Sequence, residues 1–174
     1  MDLSGKPMDN ESNIDHQLVS SGEFLTFILG DEEYGVDILS VQGIQGWTGT
    51  TRIPDAPAYM LGVINLRGAI VPIIDLRVKF ELRSAEFNST TVVIVVKAYS
   101  NTKEHIIGLV VDAVSEVYKF DVDSIQRNPE LSNEQVNDFV EGLISIEEKM
   151  VIILDINKLA SEWSADVENT EKAA

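Results

Sequence analysis

Two sixteen-residue stretches of this chain align without a gap, Gly62–Arg77 (GVINLRGAIVPIIDLR) and Gly142–Asn157 (GLISIEEKMVIILDIN). The pairs Gly62/Gly142, Ile64/Ile144, Val71/Val151, Ile73/Ile153 and Asp75/Asp155 are identical, and apolar residues coincide at half of the positions. A shorter match precedes them in the same order, Gly35–Val41 against Gly108–Val114. Apolar strands resemble one another through composition alone, but two matches in the same order and at similar spacing favour duplication. The copies part company at the turn, where Asn65-Leu66-Arg67-Gly68 stands against Ser145-Ile146-Glu147-Glu148. Turn residues are rarely needed by a core, so this pattern predicts two similar units presenting different surfaces.

The local signals are those of short strands. Phe24–Leu29 is strand-like, Gly30–Glu33 a turn, and Tyr34–Val36 the start of a return strand. Thr90–Ala98 and His105–Val111 repeat that hairpin around Ser100–Lys103. Val63–Leu66 and Ala69–Ile74 form a hairpin about Arg67-Gly68, and Leu143–Ile146 with Met150–Leu154 forms its counterpart. Pro72 has no N–H to donate, which predicts an edge strand or a bulge. Asp55 is expected to cap a short helix from Pro57 to Gly62, and Ser132 one over Asn133–Glu141 with Val136, Phe139 and Val140 on one face. Many short strands with small turns predict antiparallel barrels, which close their own edges. The polar stretches 1–21 and 163–174 hold too little apolar surface to offset ordering and are expected as disordered tails. The body, 22–162, divides into halves 22–85 and 86–162 at Ser84–Ser89, with room for a strand to exchange between them.

Charge and composition narrow the function. The 174 residues, 44% of them hydrophobic, are enough to bury a core. With 29 acidic against 13 basic residues the net charge is −16, which repels phosphate backbones and anionic lipid, so no nucleic-acid partner is expected. The absence of cysteine rules out disulfides and thiolate chemistry and suits a reducing compartment. No apolar run approaches the ~20 residues of a membrane helix, and the start lacks the apolar region of a secretory signal. A soluble cytosolic protein without membrane insertion is the expectation.

Catalytic patterns are lacking. His16 lies in the polar start, and His105 follows the charged turn Lys103-Glu104 and is expected as a solvated residue. Zinc would lack its usual cysteine and paired histidine ligands. Asp31-Glu32-Glu33 has neither the alternating oxygens nor the distal glutamate of a calcium loop. Gly62 and Gly108 belong to no phosphate-binding motif, and no serine sits in a nucleophile elbow. Asp37, Asp75, Asp112 and Asp155 offer carboxylates for a glycoside-hydrolysis pair, but the match of Asp75 with Asp155 favours a shared structural task such as capping a following helix. No catalytic residue, metal site or cofactor is expected. Arg67, a cation on an apolar hairpin tip in an acidic chain, is either an anchor for a partner's acceptors or one half of an internal salt bridge to Asp37 or Glu33. Ile38, Val41 and Ile44 recur at near-helical spacing, which is more often core than interface.

Phe27–Ile38 (FILGDEEYGVDI), Thr51–Pro54 (TRIP), Asn65–Arg77 (NLRGAIVPIIDLR) and Gly108–Val117 (GLVVDAVSEV) together resemble the CheW-like coupling proteins of bacterial chemotaxis, over about Glu23–Leu159. The resemblance implies an all-β fold of two five-stranded SH3-like barrels with short helices. It also implies a non-catalytic, cytoplasmic adaptor joining the cytoplasmic tips of chemoreceptors to the regulatory domain of the histidine kinase CheA, recruited to membrane-associated receptor arrays. By the same resemblance Val41 and Arg67 contact the receptor, with Ile38, Gln42 and Gly43 as neighbours; the kinase contacts are not assigned. The family commonly reads Val-Gln-Glu-Ile where this chain has Val41-Gln42-Gly43-Ile44, so a receptor-facing carboxylate is missing. That departure keeps a secondary CheW-like coupling protein with altered receptor choice in view. A CheV-like protein is the alternative within the family, although no receiver domain follows here. Outside the family the competing class is a small-ligand-binding β-barrel or a hydrolase, which would need a large apolar pocket with converging polar groups.

Overall fold

Alternating apolar residues become strands wherever a tight turn lets them pair. The computed structural model describes residues 21–82, 86–127 and 129–173, with side chains as far as Ser164. The first part of the chain forms β1 (Ser21–Leu29), β2 (Glu32–Asp37), a 3-10 turn at Ile38–Ser40, β3 (Val41–Gly46), β4 (Met60–Leu66), β5 (Ala69–Asp75) and the short helix α1 (Leu76–Lys79). The second forms β6 (Val92–Ser100), β7 (Lys103–Val111), β8 (Ala113–Asp121), β9 (Gln126–Arg127), α2 (Glu134–Asn137), β10 (Val140–Ile146), β11 (Lys149–Leu154) and α3 (Ile156–Ala173).

These strands build two sheets, in the orders β3-β6-β7-β5-β4 and β8-β1-β2-β11-β10-β9. We call them barrel one and barrel two, because each bends back on itself: Thr51 bridges Val63 in the first, and β9 pairs with β10 in the second. Each barrel draws on both halves of the chain. Hairpin β1–β2 lies in barrel two, and hairpin β6–β7 lies in barrel one, so the exchanged element is a whole hairpin in each direction. Among the described residues, strands pass from one barrel to the other at two places, Ile38–Ser40 and Asp112, and after β11 of barrel two α3 returns to pack on β6 of barrel one.

The duplicated hairpins occupy equivalent positions. Ile73 on β5 lies beside Gly108 in parallel pairing, and Ile153 on β11 lies beside Gly35 in the same way. The β4–β5 register slips between Met60 and Gly62, and the β10–β11 register slips between Val140 and Gly142. The two glycines sit where the barrel-closing segment crosses most closely. A Cβ on Gly62 would come within 2.1 Å of the Thr51 carbonyl oxygen, and one on Gly142 within 2.3 Å of Ile125 Cγ2 and 2.7 Å of the Gln126 carbonyl oxygen. Asp75 N–H donates to the Tyr59 carbonyl and Asp155 N–H to the Phe139 carbonyl, both at 2.8 Å.

Three apolar clusters follow from strand alternation. Val71, Ile73, Val93, Val95 and Val110 fill barrel one, while Phe24, Ile125, Ile144, Val151 and Ile153 fill barrel two. The largest cluster joins the barrels, with Phe27, Tyr34, Val36 and Leu154 from one and Ile74, Ile94, Ile107 and Leu109 from the other. Each such side chain contributes about 1.5–3 kcal/mol by leaving water. A non-directional force of this kind holds the barrels together without dictating their angle.

Several local expectations change. Residues 57–62 form a turn and the start of β4 rather than a helix, and Asp55 has φ of 61°. The barrel-closing bridge of Thr51 to Val63 extends the chain there instead. The second short helix is capped by Asn133, whose side chain accepts from Gln135 N–H, and it stops at Asn137; Val136, Phe139 and Val140 are buried as expected. Pro72 lies on an inner strand, opposite Val63 and one residue before β5 begins its pairing with β7. Ile38, Val41 and Ile44 belong to a 3-10 turn and a strand, not to a helix, because β6 supplies Val41 and Ile44 with ladder partners. The segment from 163 continues α3, which packs on β6 through Asn157 and Ser161 and on β7 through Trp163. His105 is half-buried against the Trp163 ring, with centroids 5.6 Å apart. His16, the start as far as residue 20 and the stretch 83–85 lie outside the described residues.

Candidate functional site

The first crossover gathers most of the expected partner-facing residues. Asp37 caps the 3-10 turn, its Oδ1 accepting from Leu39 N–H at 2.9 Å while its carbonyl accepts from Ser40 Oγ at 2.7 Å. With both ends of the turn held by Asp37, Leu39 has nowhere to bury and stands 86% exposed. Ile38 and Val41 are half-buried and pack against the inter-barrel core. A register slip between Val41 and Gly43 pushes Gln42 out of the β3–β6 ladder into solvent. Gly43 lies opposite Val95, and a Cβ there would meet nothing within 4 Å. A groove of about 540 Å³ runs past this crossover, walled by Leu39 and Tyr99 and, across it, by Arg127 and Leu154.

Arg67 lies on the β4–β5 turn. Arg67 and Gly68 both take positive φ, 53° and 88°, as a two-residue hairpin with right-handed strand twist requires. Asn65 Oδ1 accepts from Gly68 N–H at 2.8 Å and steadies the loop. Arg67 is exposed and, among the described residues, forms no ion pair, so the bridge to Asp37 or Glu33 is not made. The structure thus brings Ile38, Val41, Gln42 and Gly43 into one continuous edge, while Arg67 occupies the tip of the β4–β5 hairpin, whose β4 meets the segment after β3 through the Thr51–Val63 bridge.

Sequence reasoning missed the exposed apolar residues beside the crossover. Leu39 is the most exposed of them, and Ile44 and Val117 are 46% and 51% exposed. The signal was present: continuing the weaker repeat past Val41/Val114 sets Gln42 against Ser115, Gly43 against Glu116 and Ile44 against Val117. Both members of the last pair face outward, and both strands slip register nearby.

Arg77 was missed as well. It is fully buried, with Nε and Nη2 donating to the two oxygens of Asp75 at 3.0 Å and Nη1 donating to Asp112 Oδ1 at 3.0 Å and to the Glu86 carbonyl at 2.5 Å. Its guanidinium lies 4.8 Å from the centroid of Phe87, which stacks on Trp47. Burial alone would lower the Arg77 pKa, but the hydrogen bonds and charges of Asp75 and Asp112 override it and raise the value further. The four aspartates weighed for hydrolysis are all engaged in structure. Asp37 caps its turn, Asp75 caps α1 and holds Arg77, Asp112 holds Arg77 and Gly30 N–H, and Asp155 caps α3 through Asn157 and Lys158 N–H. Among the described residues no group of three or more histidines and carboxylates is arranged to hold a metal, and no helix is long and apolar enough to cross a membrane. Such a surface can grip a protein through apolar contacts and a cation.

A family model described as CheW-like domain matches residues 23–163. Chemotaxis protein CheW of Klebsiella aerogenes is 45% identical over 152 residues, covering 87% of this chain and 89% of that protein. The probable chemotaxis protein CheW of Rhizobium etli is 39% identical over 144 residues, covering 83% and 90%. Among solved structures, the scaffolding protein TtCheW from Thermoanaerobacter tengcongensis superposes with a TM-score of 0.68 at 34% identity, covering 76% of this chain and 88% of that one.

Proposed function

From the premise that this chain belongs to the CheW-like domain family and is a non-catalytic chemotaxis scaffold, we propose that it couples the cytoplasmic tips of chemoreceptors to the regulatory domain of the histidine kinase CheA. It acts in the cytoplasm at membrane-associated receptor arrays. The receptor meets Ile38, Val41, Gln42 and Gly43 at the first crossover, and Arg67 supplies a cation to its polar groups. The observation that carries this reading is Arg67 itself. An arginine held at positive φ on an exposed turn, with no internal ion pair among the described residues, contributes little to the core and keeps its planar fork free for a partner.

The test is Arg67→Glu, with binding to a receptor signalling fragment and to the CheA regulatory domain measured on the same preparation. Receptor affinity should fall by at least about fivefold, the effect of losing an interface residue worth over 1 kcal/mol, while kinase affinity and melting temperature stay near wild type. Loss of both partners together with a lower melting temperature would make Arg67 structural. A second reading, a secondary coupling protein with altered receptor choice, is favoured by Gly43, where the strand edge is open and offers no carboxylate.

A further inference from the structure

The barrels are joined by two crossovers of opposite character. At Ile38–Ser40 the turn is capped by its own Asp37 and anchored by Ile38 in apolar, non-directional contact with the inter-barrel core, while Leu39 is exposed to solvent. At Asp112 a single residue separates β7 in barrel one from β8 in barrel two, and it is tied on both sides. Asp112 Oδ1 accepts from Arg77 at 3.0 Å, and its Oδ2 accepts from Gly30 N–H at 2.7 Å. Arg77 belongs to α1, directly after β5 of barrel one, whereas Gly30 is the β1–β2 turn of barrel two. One carboxylate therefore spans the barrels. Lys79, on the same short helix, adds a second tie: it pairs with Glu162 on α3 and lies 4.1 Å from the Tyr59 ring centroid and 5.4 Å from that of Phe139.

The apolar layer between the barrels is extensive but non-directional, whereas a guanidinium fork satisfied by two carboxylates and a carbonyl has one geometry. A buried ion pair adds little net stability over an apolar replacement, and its best-attested use is to select one arrangement among several. We infer that Arg77 and Asp112 are positioning residues that fix the second crossover as a pivot and so set the angle between the barrels. The pivot acts on function through the other crossover, since a change of that angle displaces the strands β2 and β3 that Ile38–Ser40 joins, the segment offered to the receptor. This last step rests on the proposed receptor contact; the pivot itself does not.

The chain contains no cysteine, so Lys103→Cys on barrel one and Asp123→Cys on barrel two can be spin-labelled cleanly in the full-length protein. Their distance distribution is compared in this background with and without Asp75→Asn/Arg77→Met/Asp112→Asn, which removes the charges while keeping acceptors for the α1 cap and for Gly30 N–H. The expected result is a protein with a melting temperature near the parent's, a broadened or shifted inter-barrel distance, and affinity for a receptor signalling fragment lowered by about fivefold or more. Arg77→Lys, which keeps the charge but not the fork, should leave the distance broadened. A distribution as narrow as the parent's in the triple variant, or restored by lysine, overturns the pivot. If the triple variant does not fold, Asp112→Asn alone is judged by the same distance criterion. A broadened distance beside a parent protein that never binds the receptor fragment would uphold the pivot and overturn the receptor reading.

Discussion

The two duplicated hairpins, β4–β5 and β10–β11, share their register slip, their parallel neighbour and their helix-capping aspartate, yet differ completely at the tip. Arg67-Gly68 crowns one and Glu147-Glu148 the other. The shared features are those that meet backbone or core, where one added atom collides. The divergent ones face water, where only the turn's φ angles are constrained. Barrel two carries most of the acidic excess, in turns such as Asp31–Glu33 and Glu147-Glu148, while the exposed cations Arg52 and Arg67 stand on barrel one. Duplication followed by divergence at the tips gives one adaptor two electrostatically unlike ends.

The equivalence of the two hairpins is most demanding at the crossing glycines. Gly62→Ala and Gly142→Ala should each cost about 4 kcal/mol or more, because the new methyl group meets backbone atoms that cannot step aside. Gly62 should be the worse, since its φ of 137° also resists a side chain. Urea unfolding of both proteins decides it. A mild effect at one site and a severe one at the other would mean that the two closures are not equivalent.

The capping aspartates share one task, and Asp75 has an added one. Asp155→Ala removes a cap and should cost about 1 kcal/mol. Asp75→Ala removes the cap and also strands a buried arginine, which should cost about 3–5 kcal/mol. Equal losses in denaturant unfolding would show that Arg77 finds other partners and that the buried network is dispensable.

The tips themselves come next. Glu147 and Glu148 both hold positive φ, 48° and 69°, which side chains other than glycine and asparagine resist. Replacing the pair by Asn-Gly should stabilise the protein by about 1 kcal/mol, whereas Arg67→Asn should give less because Gly68 already relieves half of its turn. Melting curves of the two variants test this. Destabilisation by Asn-Gly would reveal contacts made by the glutamates beyond the turn.

How much of this was legible in the sequence depends on the range of the interaction responsible. The repeat, the tight hairpins, the aspartate caps and the all-β class rest on residues close in sequence, and these were readable. The exchange of hairpins rests on two short parallel pairings, Ile73–Asp75 with Gly108–Val110 and Val151–Ile153 with Glu33–Gly35, which leave no local pattern. Arg77 reads as an ordinary cation on a short helix until Asp112, 35 residues away, is brought beside it. Val41 came from the family resemblance rather than from spacing, whereas Arg67 stood out as a cation on an apolar hairpin tip, with its choice between partner anchor and salt bridge left open until the fold was known. Leu39 escaped because an isolated leucine after a strand looks like core unless its capped turn is known.

The smallest expected effect lies at Gly43, and it tests whether the surfaces diverged for function. Its repeat counterpart is Glu116, whose N–H and carbonyl both bond Thr26 Oγ1 at the equivalent slip in β8. Gly43 is not among the positive-φ residues and has open space around it, so Gly43→Glu carries no steric or backbone penalty. It should leave the melting temperature unchanged and strengthen binding to receptor fragments whose tips offer a cation, by about 0.2–1 kcal/mol for a solvent-exposed pair. The same substitution made with Arg67→Gln shows whether the new carboxylate is instead drawn to this chain's own arginine, in which case the gain appears only in the double variant. Unchanged affinity in both proteins, with a lower melting temperature, would mean that the glycine serves the strand and does not tune receptor choice.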